Sequence, residues 1–247
     1  VPNPWNPPAI EQGFSTDSVV LSGYLYGYSP ELGNRTGTVY VNNLLSGNQG
    51  IVLFELDDRG FFSGKLPVVT PGNVYIRSDA FNRSLFVEPG EEVFLFLDGT
   101  GPSNVSIMGK NARLNLENLA SAPFYMNRFY LEIDKKVLDM DADDFKAFCL
   151  QKMEEDLAQF EAIKKEGSWS DRYLQLTPLN IKSNYLRNVL HYHYISSSAY
   201  RQKFNIPNTQ RELPVNFEIP SETSFFSFIP QDLLTDELSA LGDSYEN

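Results

Sequence analysis

Cysteine and histidine are nearly absent from this 247-residue chain: Cys149 is the single cysteine, and His191 and His193 are the two histidines. One cysteine excludes an intrachain disulfide, a Cys-x-x-Cys redox pair and a thiolate-rich zinc site. Two histidines leave few places for a Ser-His-Asp site, and no serine lies in a Gly-x-Ser-x-Gly turn. Glycine-rich loops that bind phosphate are absent as well. We therefore expect no catalytic residue, no bound metal and no cofactor, and we predict that the chain is not an enzyme.

Positive charge is also in short supply, with 20 Lys and Arg residues against 32 Asp and Glu, a formal net charge of -12. Such a field repels a phosphate backbone, so nucleic acid is not an expected partner. No uninterrupted apolar run reaches the length of about 20 residues that a membrane-spanning helix needs. The first residues, Val1 to Trp5, contain neither a basic segment nor an apolar core, so we expect any signal peptide to have been removed.

The first half of the chain reads as strands. Between Asp17 and Met108, short apolar runs alternate with turn residues roughly every ten positions, which is typical of an antiparallel sandwich or barrel. The segment Asp57 to Gly60 is polar and ends in glycine, which predicts a β-hairpin turn. The predicted strands are residues 18–26, 38–43, 51–56, 61–66, 73–78, 84–87, 92–97 and 104–108.

Beyond Gly109 glycine becomes scarce, and apolar residues recur at spacings of three and four, which predicts helices. The clearest helix covers 142–165 and stops at Gly167. A second is predicted to begin after Pro178 and to run through Tyr192. Weaker helical patterns cover 114–120, 124–130 and 231–241, and residues 204–222 contain three prolines and read as an extended connection.

These patterns together predict an α+β protein in which an N-terminal antiparallel β-sandwich is followed by an α-helical domain. Four prolines in the first eight residues predict an extended arm over residues 1–16. The β-sandwich domain is predicted for 17–109 and the helical domain for 110–247.

Three small constellations have simple structural interpretations. Asp139, Asp141 and Asp143 resemble the start of a calcium loop, but that loop requires Gly and Glu where this sequence has Asp144 and Leu150. We interpret Asp141 as a helix N-cap instead.

His191 and His193 would lie about 200° apart on the predicted helix, so they are not expected to share a metal. Cys149 falls in an apolar stripe and is expected to be a buried hydrophobic residue. The glycosylation patterns at Asn34, Asn82 and Asn104 are expected to be chance matches.

Tyrosines in the β region are the candidate ligand-binding residues, because sugars and flat apolar groups stack on aromatic rings. Strand alternation places Tyr24 and Tyr26 on one face of a sheet. Core packing, or coverage by the helical domain, is the alternative explanation for these rings. The candidates are Tyr24, Tyr26, Tyr28, Tyr40 and Tyr75.

Several of these segments resemble the N-terminal region of exported Bacteroidetes proteins related to TlpA-type thiol-disulfide oxidoreductases. The resemblance rests on residues 19–30, 55–62 and 86–98, and continues through 181–200 and 229–247. It implies a location in the bacterial cell envelope, as a periplasmic protein or an outer-membrane lipoprotein. It also implies a β-sandwich packed against helices that lead to a thioredoxin-like domain. That family's redox chemistry belongs to a Cys-x-x-Cys motif that this sequence does not contain, so no active-site residue transfers.

The resemblance favours a non-catalytic accessory region that positions clients or partners, either a client protein or the protein's own C-terminal domain. Two alternatives stay open: a thioredoxin-like domain follows this sequence, or the protein lacks one. An alternative is a separate glycan- or peptide-binding module that uses the exposed aromatic residues. A hydrolase with paired carboxylates stays open as a third hypothesis, because 32 acidic residues offer many pairs whose separation the sequence does not give.

Overall fold

A computed structural model describes residues 7–10, 13–32, 35–43, 48–79, 81–98, 105–121, 132–133 and 136–231. The helical segment predicted at 124–130, nearly all of the one predicted at 231–241, and Asn34 and Asn104 lie outside these residues. The chain divides into two compact units. Among the described residues, the first contains those up to Ala120 together with Trp169–Gln175, and the second contains Ser121–Ser168 and the residues from Leu176 onward.

The first unit contains eight strands, and all eight predicted strands are confirmed. They form two open four-stranded sheets in the orders β4-β1-β7-β8 and β3-β2-β5-β6. Every pairing is antiparallel except the parallel pairing of β1 with β7. With the helices described below, this confirms an α+β protein. The strands are β1 (Val19–Tyr26), β2 (Thr36–Asn43), β3 (Asn48–Glu55), β4 (Phe61–Leu66), β5 (Gly72–Arg77), β6 (Asn82–Val87), β7 (Glu92–Asp98) and β8 (Val105–Met108).

One hydrophobic cluster contains inward side chains from both sheets. The rings of Phe54 on β3 and Phe62 on β4 stack with centroids 4.6 Å apart. Each ring lies over a glycine of the neighbouring strand. A Cβ atom added at Gly37 would lie 2.1 Å from the Phe54 ring, and one added at Gly23 would lie 2.4 Å from the Phe62 ring. These two glycines therefore provide the space that the aromatic pair occupies.

The turn predicted at Asp57 to Gly60 is present, but it does not close a hairpin. The Gly60 amide donates to the Asp57 carbonyl over 2.9 Å, and the Asp57 carboxylate accepts from the amides of Arg59 and Phe61. The two strands that it connects, β3 and β4, belong to different sheets. The hairpin prediction was wrong because turn residues indicate where the chain reverses and not which strand it then pairs with.

Four α-helices longer than one turn occur in the described part of the chain: α1 (Ala112–Ser121), α2 (Ala142–Glu166), α3 (Asp171–Leu190) and α4 (Tyr192–Phe204). The prediction of α2 is confirmed at both ends. The Asp141 side chain accepts from the amide of Asp144 over 2.9 Å, and Gly167 is the C-cap. Residues 205–222 form neither helix nor strand, as predicted, and a short 3-10 helix follows at Thr223–Phe228.

Helix α3 begins at Asp171, before the predicted start after Pro178, and contains Pro178 in its interior. Proline lacks the amide hydrogen that would bond to Leu174, and a helix usually avoids that loss. Here Tyr173, Ile181 and Tyr185 are almost fully buried, and this packing outweighs the loss. Helix α3 also ends before His191, so the two histidines do not lie on one uninterrupted helix. No helix of the described residues is long and apolar enough to cross a membrane.

Candidate binding surface

The outer face of the sheet β4-β1-β7-β8 carries two of the predicted tyrosines. Along β1, Val19 and Leu21 point into the core, so Tyr24 and Tyr26 point outward. The ring of Phe96 on β7 lies 6.0 Å from that of Tyr24 and 6.3 Å from that of Tyr26. The alternation argument for Tyr24 and Tyr26 is therefore confirmed, and a phenylalanine from a distant strand joins them.

Strand register adds further apolar side chains to the same face. Phe61 on β4 is directly opposite Tyr24, and Phe94 on β7 is directly opposite Met108 on β8. Phe61, Tyr26 and Met108 are exposed, and Phe94 is half-buried. Tyr24 and Phe96 are half-buried as well. A contiguous apolar patch of this kind, exposed in part, is typical of an interaction site. We call it the aromatic surface, and it consists of Phe61, Tyr24, Tyr26, Phe94, Phe96 and Met108.

Two other candidate tyrosines lie on the other sheet. Tyr40 on β2 and Tyr75 on β5 are register partners, and their rings are 6.2 Å apart. The Tyr75 hydroxyl donates to the side-chain oxygen of Asn82 over 2.6 Å. This second patch is therefore a tyrosine pair with amide groups close by, and it is separate from the aromatic surface.

Tyr28 belongs to neither patch. It follows β1 and packs against the hydrophobic cluster of the first unit, with its Cβ atom close to Gly60. Its hydroxyl is buried and has no hydrogen-bond partner within the described part of the chain. The five predicted tyrosines thus divide into an outward pair on each sheet and one packed ring.

Sequence reasoning missed Phe61, Phe94, Phe96 and Met108. Three strand pairings add them: β1 with β7 brings in Phe94 and Phe96, β1 with β4 brings in Phe61, and β7 with β8 brings in Met108. Alternation within each strand identifies outward residues, but it does not tell which strands are neighbours. The missed residues are therefore the ones that depend on sheet order.

A buried polar network fixes the turn that leads into β7, the strand that supplies Phe94 and Phe96. The side chain of Glu88 accepts from Lys110 over 2.5 Å, from Asn111 over 3.0 Å and from the guanidinium of Arg172. Arg172 also donates to the side-chain oxygen of Asn111 and to the carbonyl of Pro8. Arg172 is 2% exposed, so water does not solvate its guanidinium group. These hydrogen bonds within the first unit compensate its charge instead.

The two carboxyl groups of this network respond to their surroundings in opposite directions. Burial disfavours ionised Glu88, but hydrogen bonds from Lys110, Arg172 and Asn111 outweigh it and lower the pKa of Glu88. Burial also disfavours ionised Glu91, and there it prevails over the hydrogen bonds from Asn111, so the pKa of Glu91 is raised. Of the two carboxyl groups, Glu88 is therefore the one that stays ionised to lower pH.

The second unit has a groove of about 330 Å³ beside α4, lined by His193, Ser197, Arg201, Arg211, Glu212, Leu213, Val215 and Asn216. His193 is exposed, and its Nδ1 donates to the carbonyl of Phe217 over 2.7 Å. Arg201 donates to the carbonyls of Pro207 and Arg211. His193 and Arg201 thus hold the segment 207–217 against α4, which gives both side chains a structural role.

Cys149 on α2 is fully buried, as predicted, and burial raises the pKa of its thiol well above the usual range. The described residues contain no group of three or more His, Cys, Asp or Glu side chains placed to hold a metal ion. Comparison of the chain with protein-family models, with curated proteins and with solved structures gives no match.

Proposed function

We propose that this chain is a non-catalytic accessory region of a bacterial envelope protein of the thioredoxin-like kind, and that it holds client or partner polypeptides on its aromatic surface. We also propose that its two sheets face each other as a β-sandwich, since their inward side chains share one hydrophobic cluster. The observation that supports the binding role most directly is the set of adjacent, outward aromatic side chains on β1, β4 and β7.

The chemistry of the aromatic surface suits a polypeptide. Aromatic residues and methionine are enriched where proteins contact one another, because they offer large apolar area. Four aromatic rings on β1 and β7 with Phe61 and Met108 beside them offer a contact on the order of several hundred Å², which fits a transient complex better than a permanent one. The same outward face carries three serine side chains, which provide hydrogen-bonding groups for a peptide backbone: Ser22, Ser63 and Ser106.

The test is a titration of the whole chain with a chemically unfolded, fluorescently labelled polypeptide, comparing two variants. In the first, Tyr24→Ser and Tyr26→Ser are combined. The matched control is Tyr75→Ser, because Tyr75 on the other sheet is similarly exposed, 41% against 53% for Tyr26. We expect the double variant to bind about tenfold more weakly than the wild type, as loss of a central aromatic contact typically costs more than 1 kcal/mol. Equal affinity of wild type and double variant would overturn the proposal.

A glycan-binding module is the second candidate, and the tyrosine pair on the other sheet favours it. Tyr40 and Tyr75 present neighbouring rings, and Asn42, Gln49 and Asn82 place side-chain amides close by. Rings with adjacent amides suit sugars, whose C–H faces stack while their hydroxyls form hydrogen bonds. The same variants separate the two candidates, because oligosaccharide binding that is lost in Tyr75→Ser and kept in the double variant would favour this function.

A further inference from the structure

Strand β3 forms an edge of its sheet, and its outer backbone groups face away from β2. The amide of Leu56 donates to the carbonyl of Arg35 over 2.8 Å, which makes these two residues a hydrogen-bonded pair. Such pairs alternate along an antiparallel ladder, so Phe54, Val52 and Gly50 bond to β2. The residues between and beside them direct their N–H and C=O groups toward the open edge: Gln49, Ile51, Leu53 and Glu55.

The side chains on this edge are unusually apolar for an unpaired strand. Ile51 is 63% exposed and Leu53 is 70% exposed, and both point to the outer face of the sheet. Natural edge strands commonly carry a lysine, a proline or a bulge that prevents pairing with another strand. Between Gln49 and Glu55 this strand contains no proline and no basic residue. The edge is therefore open to strand addition.

We propose that β3 pairs antiparallel with β3 of a second copy of this chain, about a two-fold axis at Val52, to give one continuous eight-stranded sheet. In this register Ile51 lies opposite Leu53 of the second copy, and Gln49 lies opposite Glu55 of the second copy. The four residues of each strand whose N–H and C=O groups point to the open edge then form hydrogen-bonded pairs with the second copy. Every backbone donor and acceptor on the edge between Gln49 and Glu55 is used in this way.

The order of the side chains along β3 indicates which strand pairs with this edge. Along the edge, the outward residues Gln49, Ile51, Leu53 and Glu55 read polar, apolar, apolar, polar, and the order is the same in both directions. A two-fold axis requires such a self-complementary surface. It places apolar beside apolar and each carboxylate beside an amide, whereas a parallel pairing in register would place Glu55 beside Glu55. A second copy therefore fits this edge better than a strand of unrelated sequence.

Electrostatic repulsion between the two copies opposes this pairing. Each chain has a formal net charge of -12, so two copies repel one another at low ionic strength. Salt screens this repulsion between exposed charges. The association is accordingly weak and becomes stronger as the salt concentration rises, opposite to an interface held by ion pairs.

A cysteine at the two-fold axis tests both the partner and the register. Residues that face each other without hydrogen bonds in an antiparallel pair have Cα atoms about 4.5 Å apart, within the range of a disulfide. We expect Val52→Cys to form a covalent dimer under mild oxidation. The native Cys149 is buried and gives little background. The control is Tyr194→Cys on α4, where the native side chain is 72% exposed, and this variant should stay monomeric under the same conditions.

Sedimentation velocity of the unmodified chain over a range of concentrations provides the second measurement. We expect a reversible dimer that Leu53→Lys weakens about tenfold or more, because lysine on an edge opposes strand pairing. Tyr194→Lys, at a position on α4 that is as exposed as Leu53 (72% against 70%), should leave the dimer unchanged. A wild type that stays monomeric at every concentration, together with Val52→Cys that does not crosslink, overturns the proposal. So does a monomeric chain whose β3 edge instead takes an added peptide of alternating apolar sequence. Neither result affects the polypeptide-binding test, which uses a different sheet.

Discussion

At the scale of single residues, Arg172 joins three segments of the first unit through one guanidinium group. It donates to the Pro8 carbonyl over 2.8 Å and to the side chains of Glu88 and Asn111. A buried charge of this kind is costly unless it is paired and hydrogen-bonded, and Nε and Nη1 of Arg172 together donate to three oxygen atoms. The arginine therefore matters because its loss would leave buried acceptors of the unit without their donor.

Replacing Arg172 with methionine should lower the free energy of unfolding by about 3–5 kcal/mol, because buried Glu88 would keep only the half-exposed Lys110 as a cationic partner, and the Pro8 and Asn111 oxygens would lose their donor. The matched control is Lys110→Met. Lys110 also binds Glu88, but its side chain is 49% exposed, so its loss should cost about 0–1 kcal/mol. Urea unfolding of both variants measures the difference. Equal destabilisation by the two substitutions would contradict a special role for the buried arginine.

Glu88 should also give the stability of the chain a pH dependence. Its pKa in the folded chain lies below the ordinary value of 4.5, so the unfolded chain binds more protons near that pH. The stabilisation from ionised Glu88 is therefore complete above about pH 4.5 and is lost as the pH falls through the lowered pKa. Glu91 has a raised pKa and contributes with the opposite sign, so total stability does not isolate this effect.

The comparison of the wild type with Glu88→Gln isolates it. We expect the wild type to be more stable by about 1.5–3 kcal/mol near neutral pH, the usual contribution of hydrogen bonds to a charged group. This difference should shrink steadily below pH 4.5. Thermal unfolding at several pH values measures it, with Glu92→Gln on the exposed side of β7 as the charge-matched control. A difference that does not change with pH would show that Glu88 has the same pKa in the folded and the unfolded chain, and would contradict the lowered value.

At the scale of elements, β1 depends on a glycine that its neighbours leave no room to replace. A Cβ atom at Gly23 would be 2.4 Å from the Phe62 ring and 2.6 Å from the Leu95 carbonyl oxygen. Gly64 on β4 has no atom within 4 Å of its Cβ position. The two glycines lie in adjacent strands and differ mainly in the space around them.

Gly23→Ala should therefore destabilise the first unit by about 1–3 kcal/mol, the usual cost of overpacking a core. Gly64→Ala should be neutral or stabilise by up to about 1 kcal/mol, since it restricts the unfolded chain without a new clash. Chemical denaturation with tryptophan and tyrosine fluorescence measures both. If Gly23→Ala unfolded at the wild-type midpoint, the close packing around Phe62 would be contradicted.

The elements that sequence reasoning found are those with local signals. The strands were predicted because turn residues separate short apolar runs, and α2 because Asp141 and Gly167 mark its ends. The start of α3 was missed because the rule that proline ends a helix is also local. Burial of Tyr173 and its neighbours overrides that rule, although Ser170, which accepts from the Tyr173 amide, was a capping signal in the sequence.

At the scale of the whole molecule, the candidate site depends on which strands are neighbours. Tyr24 and Tyr26 were identified from β1 alone, but Phe96 reaches them only because β7 lies beside β1. The turn after β3 likewise gave no sign that β4 joins the other sheet. Strand order is decided by contacts between residues far apart in the chain, and a single sequence contains no local signal for such contacts.

The parallel pairing of β1 with β7 also determines the order in which a nascent chain can complete its structure. The sheet β3-β2-β5-β6 is built on two hairpins of consecutive strands and has all its residues once Val87 has been synthesised. Strand β1 emerges before any of them, yet its second neighbour does not exist until Asp98 has been made. Contacts between distant segments form slowly, because closing a long loop costs entropy first. Of the eight strands described, β1 therefore leaves the ribosome first and must wait for β7 before both of its edges are paired.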